Sequence, residues 1–75
     1  MDILELIKED ESLVDSLSEV YAGDDQTYAD RLAVADGVSD ALEILVSAAF
    51  IARVSGDYLV SGDIVDAYGH YRAMI

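Results

Sequence analysis

The sequence predicts an all-α fold: one domain over residues 1–75, built as a small bundle of three helices, or four if Gly37 breaks the second. Three observations point there. Proline, the strongest helix breaker, is absent. Apolar residues recur at the helical period through most of the chain. Hydrophobic residues make up 53% of it, too many for a disordered tail and enough for a core. A chain of 75 residues buries only ~60% of its unfolded surface, so its stability is marginal unless a partner adds area. With no cysteine, neither disulfide staples nor thiolate metal sites are available.

Residues 2–22 read as the first helix. Ile3, Leu6, Ile7, Leu13, Val14, Leu17, Val20 and Tyr21 form one stripe, with Glu5, Glu9, Ser12, Ser16 and Glu19 opposite. Asp10 interrupts the apolar stripe and marks a kink or break at Glu9-Asp10-Glu11, where Ser12 with Asp15 would cap a restart. Gly23 is placed as the left-handed residue that ends this helix. Asp24 or Thr27 caps the second helix, Thr27 forming a capping box with Asp30. Tyr28, Leu32, Ala35, Val38, Leu42, Leu45, Val46 and Ala49 then keep one phase through to Arg53. Gly37, which costs ~1 kcal/mol inside a helix, is the alternative break point, with Ser39 as cap; the unbroken phase favours one long helix. Ser55-Gly56 ends it, residues 57–60 read as an extended link, and Ser61 caps a last helix from Gly62 to Met74. Its inward face is expected to hold Ile64, Val65, Tyr68, Tyr71 and Ile75. The medium, long, short order is similar to that of the histone fold. VSGDYLVSGDIVDAY (54–68) resembles that fold's last loop and helix, with a loop one residue short and without the basic surface.

Between Ala41 and Ala52 nearly every side of the predicted helix is apolar, more than a 75-residue monomer is expected to cover. The expectation is a homodimer or obligate complex formed through Ile44, Leu45, Phe50 and Ile51, with Tyr58 at the edge. The longest uncharged run, Ile44 to Ala52, has nine residues, against the ~20 needed to span a bilayer. Acids stand in Met-Asp-Ile-Leu-Glu where a secretory signal carries bases, so the expected location is the cytoplasm, away from membranes.

Charge is the most informative quantity. Sixteen acids against four Lys and Arg give a net of −12. Residues 1–43 hold thirteen acids and two bases, net −11, whereas residues 44–75 hold three acids and two bases, net −1. Such a body repels nucleic acid and anionic membranes and attracts a basic protein. On a continuous second helix, Asp25, Asp36, Asp40 and Glu43 would fall within about 60° of one another. Asp36 and Asp40 would lie about 6 Å apart, a spacing on the scale of phosphates along a strand. Glu5, Glu9 and Glu19 would supply a second row. The leading expectation is therefore a small acidic inhibitor, occupying the groove of a basic nucleic-acid-binding protein by imitating phosphates. Phage anti-restriction and anti-CRISPR proteins are the class with this size and charge, which would place it in a host cytoplasm. The alternative is a helical interaction or structural module whose acidity serves solubility or high salt.

Chemistry-bearing motifs are sparse. Asp15-Ser16-Leu17, in LVDSLSEV (13–20), resembles the attachment site of acyl carrier proteins. That resemblance covers three residues and implies a third reading, a divergent carrier with a phosphopantetheine arm on Ser16. Here fifteen residues precede the serine, where the family has about half a domain, and Ser16 is expected mid-helix on the polar face. His70 is the only histidine; Asp66 at i−4 could orient it, but such pairs are usually structural. No Asp-x-Asp-x-Asp-Gly calcium loop and no glycine-rich phosphate loop occurs. No enzyme activity, cofactor or metal is expected.

Overall fold

A computed structural model describes residues 2–75. Five helices and a small hairpin follow in chain order: α1 (Ile3–Glu9), α2 (Glu11–Ser18), β1 (Tyr21–Gly23), β2 (Gln26–Thr27), α3 (Tyr28–Ala33), α4 (Val38–Val54) and α5 (Tyr58–Arg72). The chain is mostly helical, as predicted, but both of the first two predicted helices are split and a two-stranded sheet sits between them.

The first split falls at Asp10. Its backbone is extended (φ −74°, ψ 97°), and its Oδ1 accepts a hydrogen bond from the Leu13 amide, so Asp10 rather than Ser12 caps α2. Its Oδ2 accepts from the Tyr71 hydroxyl at 2.7 Å, which ties this junction to α5. Helix α2 stops at Ser18, and Tyr21, predicted helical, lies exposed in β1.

The hairpin turns through Asp24 (φ 49°) and Asp25 (φ 63°), both left-handed, with Gly23 opposite Gln26. Two positive φ angles in a two-residue loop match the right-handed twist of paired strands, and aspartate is among the few non-glycine residues that tolerate them. Gly23 does have a positive φ, but it serves the hairpin and not a helix end. Thr27 then caps α3 through the predicted reciprocal box with Asp30.

The second split falls at Gly37, whose extended backbone starts α4 without a side-chain cap. Apolar phase carried no warning, because Leu32 and Ala35 before the break and Leu42 and Leu45 after it all reach the same core. Phase records which side is buried, not whether the axis continues. Lys8 of α1 steadies the end of α3, donating to the carbonyls of Ala33 (3.2 Å) and Ala35 (2.8 Å), where a cation also meets the negative end of the helix dipole.

Helix α4 ends as the sequence predicts, at Ser55-Gly56. Gly56 (φ +87°) donates to Arg53 and Asp57 donates to Ala52, the paired bonds of a Schellman turn. The last helix begins earlier than predicted: Asp57, not Ser61, is its cap, and the expected extended link is its first turn. Ser61 is buried and donates to the Ala49 carbonyl at 2.8 Å, which small residues on the facing side of α4 (Ala48, Ala49, Ala52) permit. Ile64 and Tyr71 face inward as predicted and Tyr68 is half-buried, whereas Val65 and Ile75 are exposed. The element order is not the medium, long, short series of a histone fold.

Each helix contributes one large, fully buried side chain to a single core: Ile7, Leu17, Leu32, Leu45 and Ile64. Leu45, expected at an oligomer interface, is therefore fully buried in the chain's own core. Ile44 and Ile51 are half-buried against that core. The α4 surface that seemed to need a partner on every side is largely covered by the chain itself, because α5, α3 and α1 all pack against it.

Gly56→Ala is expected to cost about 1 kcal/mol, since nothing crowds the added methyl but the left-handed backbone opposes it. That lowers Tm by about 4–8 °C in a domain of this size, with helical circular dichroism retained. Tyr71→Phe is expected to cost about 1.5 kcal/mol in urea unfolding at neutral pH. Burial, reinforced by the Asp10 hydrogen bond and charge, pushes the Tyr71 phenol from 10.0 up to about 12. The fold holds this proton more tightly than the unfolded chain does, so the stabilisation is whole below pH 10 and is lost as pH rises to about 12. The advantage of the native protein over Tyr71→Phe should hold to pH 10 and then vanish across that interval.

Candidate functional site: the groove between α4 and α5

Helices α4 and α5 run back from the Gly56 turn side by side and make the most extensive contact in the molecule. Their outer flanks do not meet fully, leaving an open cavity of about 210 Å³. Leu45 and Ala49 form its floor, Val46, Phe50 and Arg53 line the α4 side, and Ser61, Val65 and Tyr68 line the α5 side. Val46, Phe50 and Val65 are 50%, 64% and 53% exposed, so three large apolar side chains face solvent around one depression. A second depression continues from it through Val46 and Tyr68 to Glu43, Arg72 and Ile75. Together they form one groove with Arg53 at one end and Arg72 at the other.

Helical geometry explains the arrangement. Val46, Phe50 and Arg53 are spaced i, i+4, i+7 on the flank of α4 turned away from Leu42, Leu45 and Ala49. Val65, Tyr68 and Arg72 repeat the spacing i, i+3, i+7 on α5. Of the apolar residues predicted to bind a partner, Phe50 lines this groove. Tyr58 is exposed at the start of α5. Ile51 points to the opposite flank, near Val20 and Tyr21. Val46 and Val65 were missed as site residues, whereas Tyr68 and Arg72 belong to a run, Tyr68-Gly69-His70-Tyr71-Arg72, whose aromatic and arginine content suits an interface edge. The signal for the two valines was present in the acid-poor composition of residues 44–75.

The seven acids predicted to contact a partner are all exposed, but they do not form rows. Glu5 and Glu9 lie on α1, Glu19 ends α2, Asp25 is in the hairpin turn and Asp36 is in the loop before α4. Of the four acids expected in one row, only Asp40 and Glu43 share a helix, and Asp40 stands in the first turn of α4, where a negative charge meets the positive end of the helix dipole. The row of Asp25, Asp36, Asp40 and Glu43 needed one continuous helix, and the break at Gly37 removes it.

Neutral acceptors engage two of the four basic side chains: Lys8 as above, and Arg31, which bonds Gln26 and lies 5.4 Å over the Tyr28 ring. The other two, Arg53 and Arg72, are the groove's ends. His70 is exposed beside Asp66 and Asp63 in a separate depression, its ring edge against Tyr71 at 5.0 Å. Among the described residues no cluster of His, Asp and Glu is placed to hold a metal ion, and no helix is long and apolar enough to cross a membrane. Ser16, expected on the exposed face, is buried with only 8% of its surface accessible, which hides the hydroxyl a carrier would modify.

No family model, curated protein or solved structure matches the chain.

Sixteen acids on so small a surface should repel one another measurably. Tm is expected to rise steadily with salt at neutral pH, from ~0.01 M, where the Debye length is ~30 Å, to ~1 M, where it is ~3 Å. Scanning calorimetry at a series of NaCl concentrations checks this; a flat profile would show the charges to be too dispersed to couple.

Proposed function

We propose that the chain is a small, non-enzymatic binding protein of the cytoplasm whose contact surface is the α4–α5 groove. One observation carries the reading: Val46, Phe50 and Val65 stand half or more exposed around a single groove, in the half of the sequence that holds almost none of the net charge. Exposed apolar side chains gathered on one face mark binding surfaces, and aromatic and arginine residues are the types that anchor them. The acids of the other half keep the protein soluble and repel nucleic acid and anionic membranes.

A second reading is favoured by a different observation. All seven predicted contact acids are exposed, and Lys8 and Arg31 are engaged with neutral groups, which leaves the negative field uncompensated. On that reading the protein inhibits a basic nucleic-acid-binding protein by occupying its groove. The acids would act as a diffuse field and not as a phosphate-spaced row.

Two variants separate the readings. Phe50→Asp should abolish association while circular dichroism stays native, because Phe50 is exposed and outside the core. Reversing Glu9, Asp36 and Asp40, three exposed acids outside the groove, together to Lys should leave groove binding within a few-fold, with weak dependence on salt. The opposite pattern, with the triple variant inactive, Phe50→Asp unaffected and affinity collapsing as salt rises, would establish the electrostatic inhibitor instead.

A further inference from the structure

We propose that the groove is closed by a second copy of this chain, the two α4 helices packing antiparallel about a two-fold axis beside residue 48. The inference rests on the binding reading above and deepens it by naming the occupant.

The exposed flank of α4 carries Ser39, Glu43, Val46, Phe50 and Arg53, in alternating steps of four and three residues. That spacing keeps a seam facing a partner helix over successive turns. The order of chemistry along the seam is an acid at one end, two apolar side chains in the middle and a base at the other end. An antiparallel copy meets this order with its own complement. With the axis beside residue 48, Val46 packs on the partner's Phe50 and Glu43 faces the partner's Arg53, and both contacts occur twice by symmetry. A parallel copy would set Glu43 against Glu43 and Arg53 against Arg53.

The charge distribution points the same way. Two molecules of net charge −12 repel, and residues 1–43, at net −11, carry nearly all of that charge. Meeting along the flank from Glu43 to Arg53 joins mainly residues of the half with net charge −1, and the one acid of the other half in the seam, Glu43, faces a base. A standard interface removes about 800 Å² from each partner, about a sixth of the 4687 Å² protomer surface. One helical seam falls short of that, so Val65 and Tyr68 of α5 complete the contact.

Sedimentation equilibrium on the full chain tests the register by charge swapping. The native protein should sediment at twice 8.1 kDa at micromolar concentration. Glu43→Arg alone, or Arg53→Glu alone, places like charges opposite each other at both symmetric positions and should weaken the dimer about 10-fold or more. The double variant Glu43→Arg with Arg53→Glu restores the complement and should recover the native dissociation constant. Phe50→Asp should be monomeric with native circular dichroism. A native protein that stays at 8.1 kDa overturns the inference; if Phe50→Asp then still abolishes binding of a different protein, the groove reading survives without it. A dimer that ignores Phe50→Asp, or that the double swap fails to rescue, overturns the proposed register.

Discussion

The carboxylate of Asp10 is the constraint on which the arrangement of the N-terminal half depends. It stands where α1 must turn into α2, and its two oxygens do different work. One oxygen takes the Leu13 amide and starts α2; the other takes the Tyr71 hydroxyl and fixes that start against α5. The Tyr71 hydroxyl also reaches the Leu6 carbonyl at 3.4 Å, so the last helix touches both sides of the first bend. Without that fixed angle, Ile7 and Leu17 could not both enter a core that also contains Leu32, Leu45 and Ile64. Asp57 repeats the device at the other end of the molecule, closing the α4 turn with its amide and opening α5 with its side chain. Two of the sixteen acids are thus structural joints.

Dividing the chain into short helices has a cost and a benefit. Each end exposes backbone groups that need partners, and Asp2, Asp10, Thr27 and Asp57 supply side-chain acceptors at four of the five starts. In return, short helices wrap the apolar α4 on most sides, which one long helix and two others could not do. Part of the surface left open is the flank between α4 and α5, where no further element covers Phe50 and Val65. The open groove is therefore what remains of α4 and α5 after the chain's own core is complete.

What could be read from the sequence follows the range of each signal. Strictly local signals were legible: the Thr27–Asp30 box, the glycine stop at Gly56 and the break at Glu9-Asp10-Glu11. Signals that depend on the direction of the axis were not. Periodicity passed through Gly37 undisturbed because both flanking helices bury the same phase, and the acid row drawn across that position disappeared with the axis. The hairpin was missed because its turn uses Asp24-Asp25, where asparagine or aspartate followed by glycine is the usual cue. Ser16 was misplaced for a related reason, since a break at Asp10 rotates α2 relative to α1. For the site, an all-round apolar helix gives no angle from sequence alone. Phe50 was identified along with Leu45, which is buried, and with Ile44 and Ile51, which pack on the core. Only the packing of α5 decides which of them faces out.

The Gly56 turn carries a further consequence for how conformational entropy is distributed. The Ser61–Ala49 bond it brings together spans 12 residues, whereas the Tyr71–Asp10 bond spans 61. From an open chain, closing the longer loop costs about 1.4 kcal/mol more than closing the shorter one. That difference shrinks once the α4–α5 hairpin exists, because the hairpin carries Tyr71 as part of a preformed body. The most extensive contact in the molecule is thus closed through a short turn, and the N-terminal helices have a ready-made surface on which to condense.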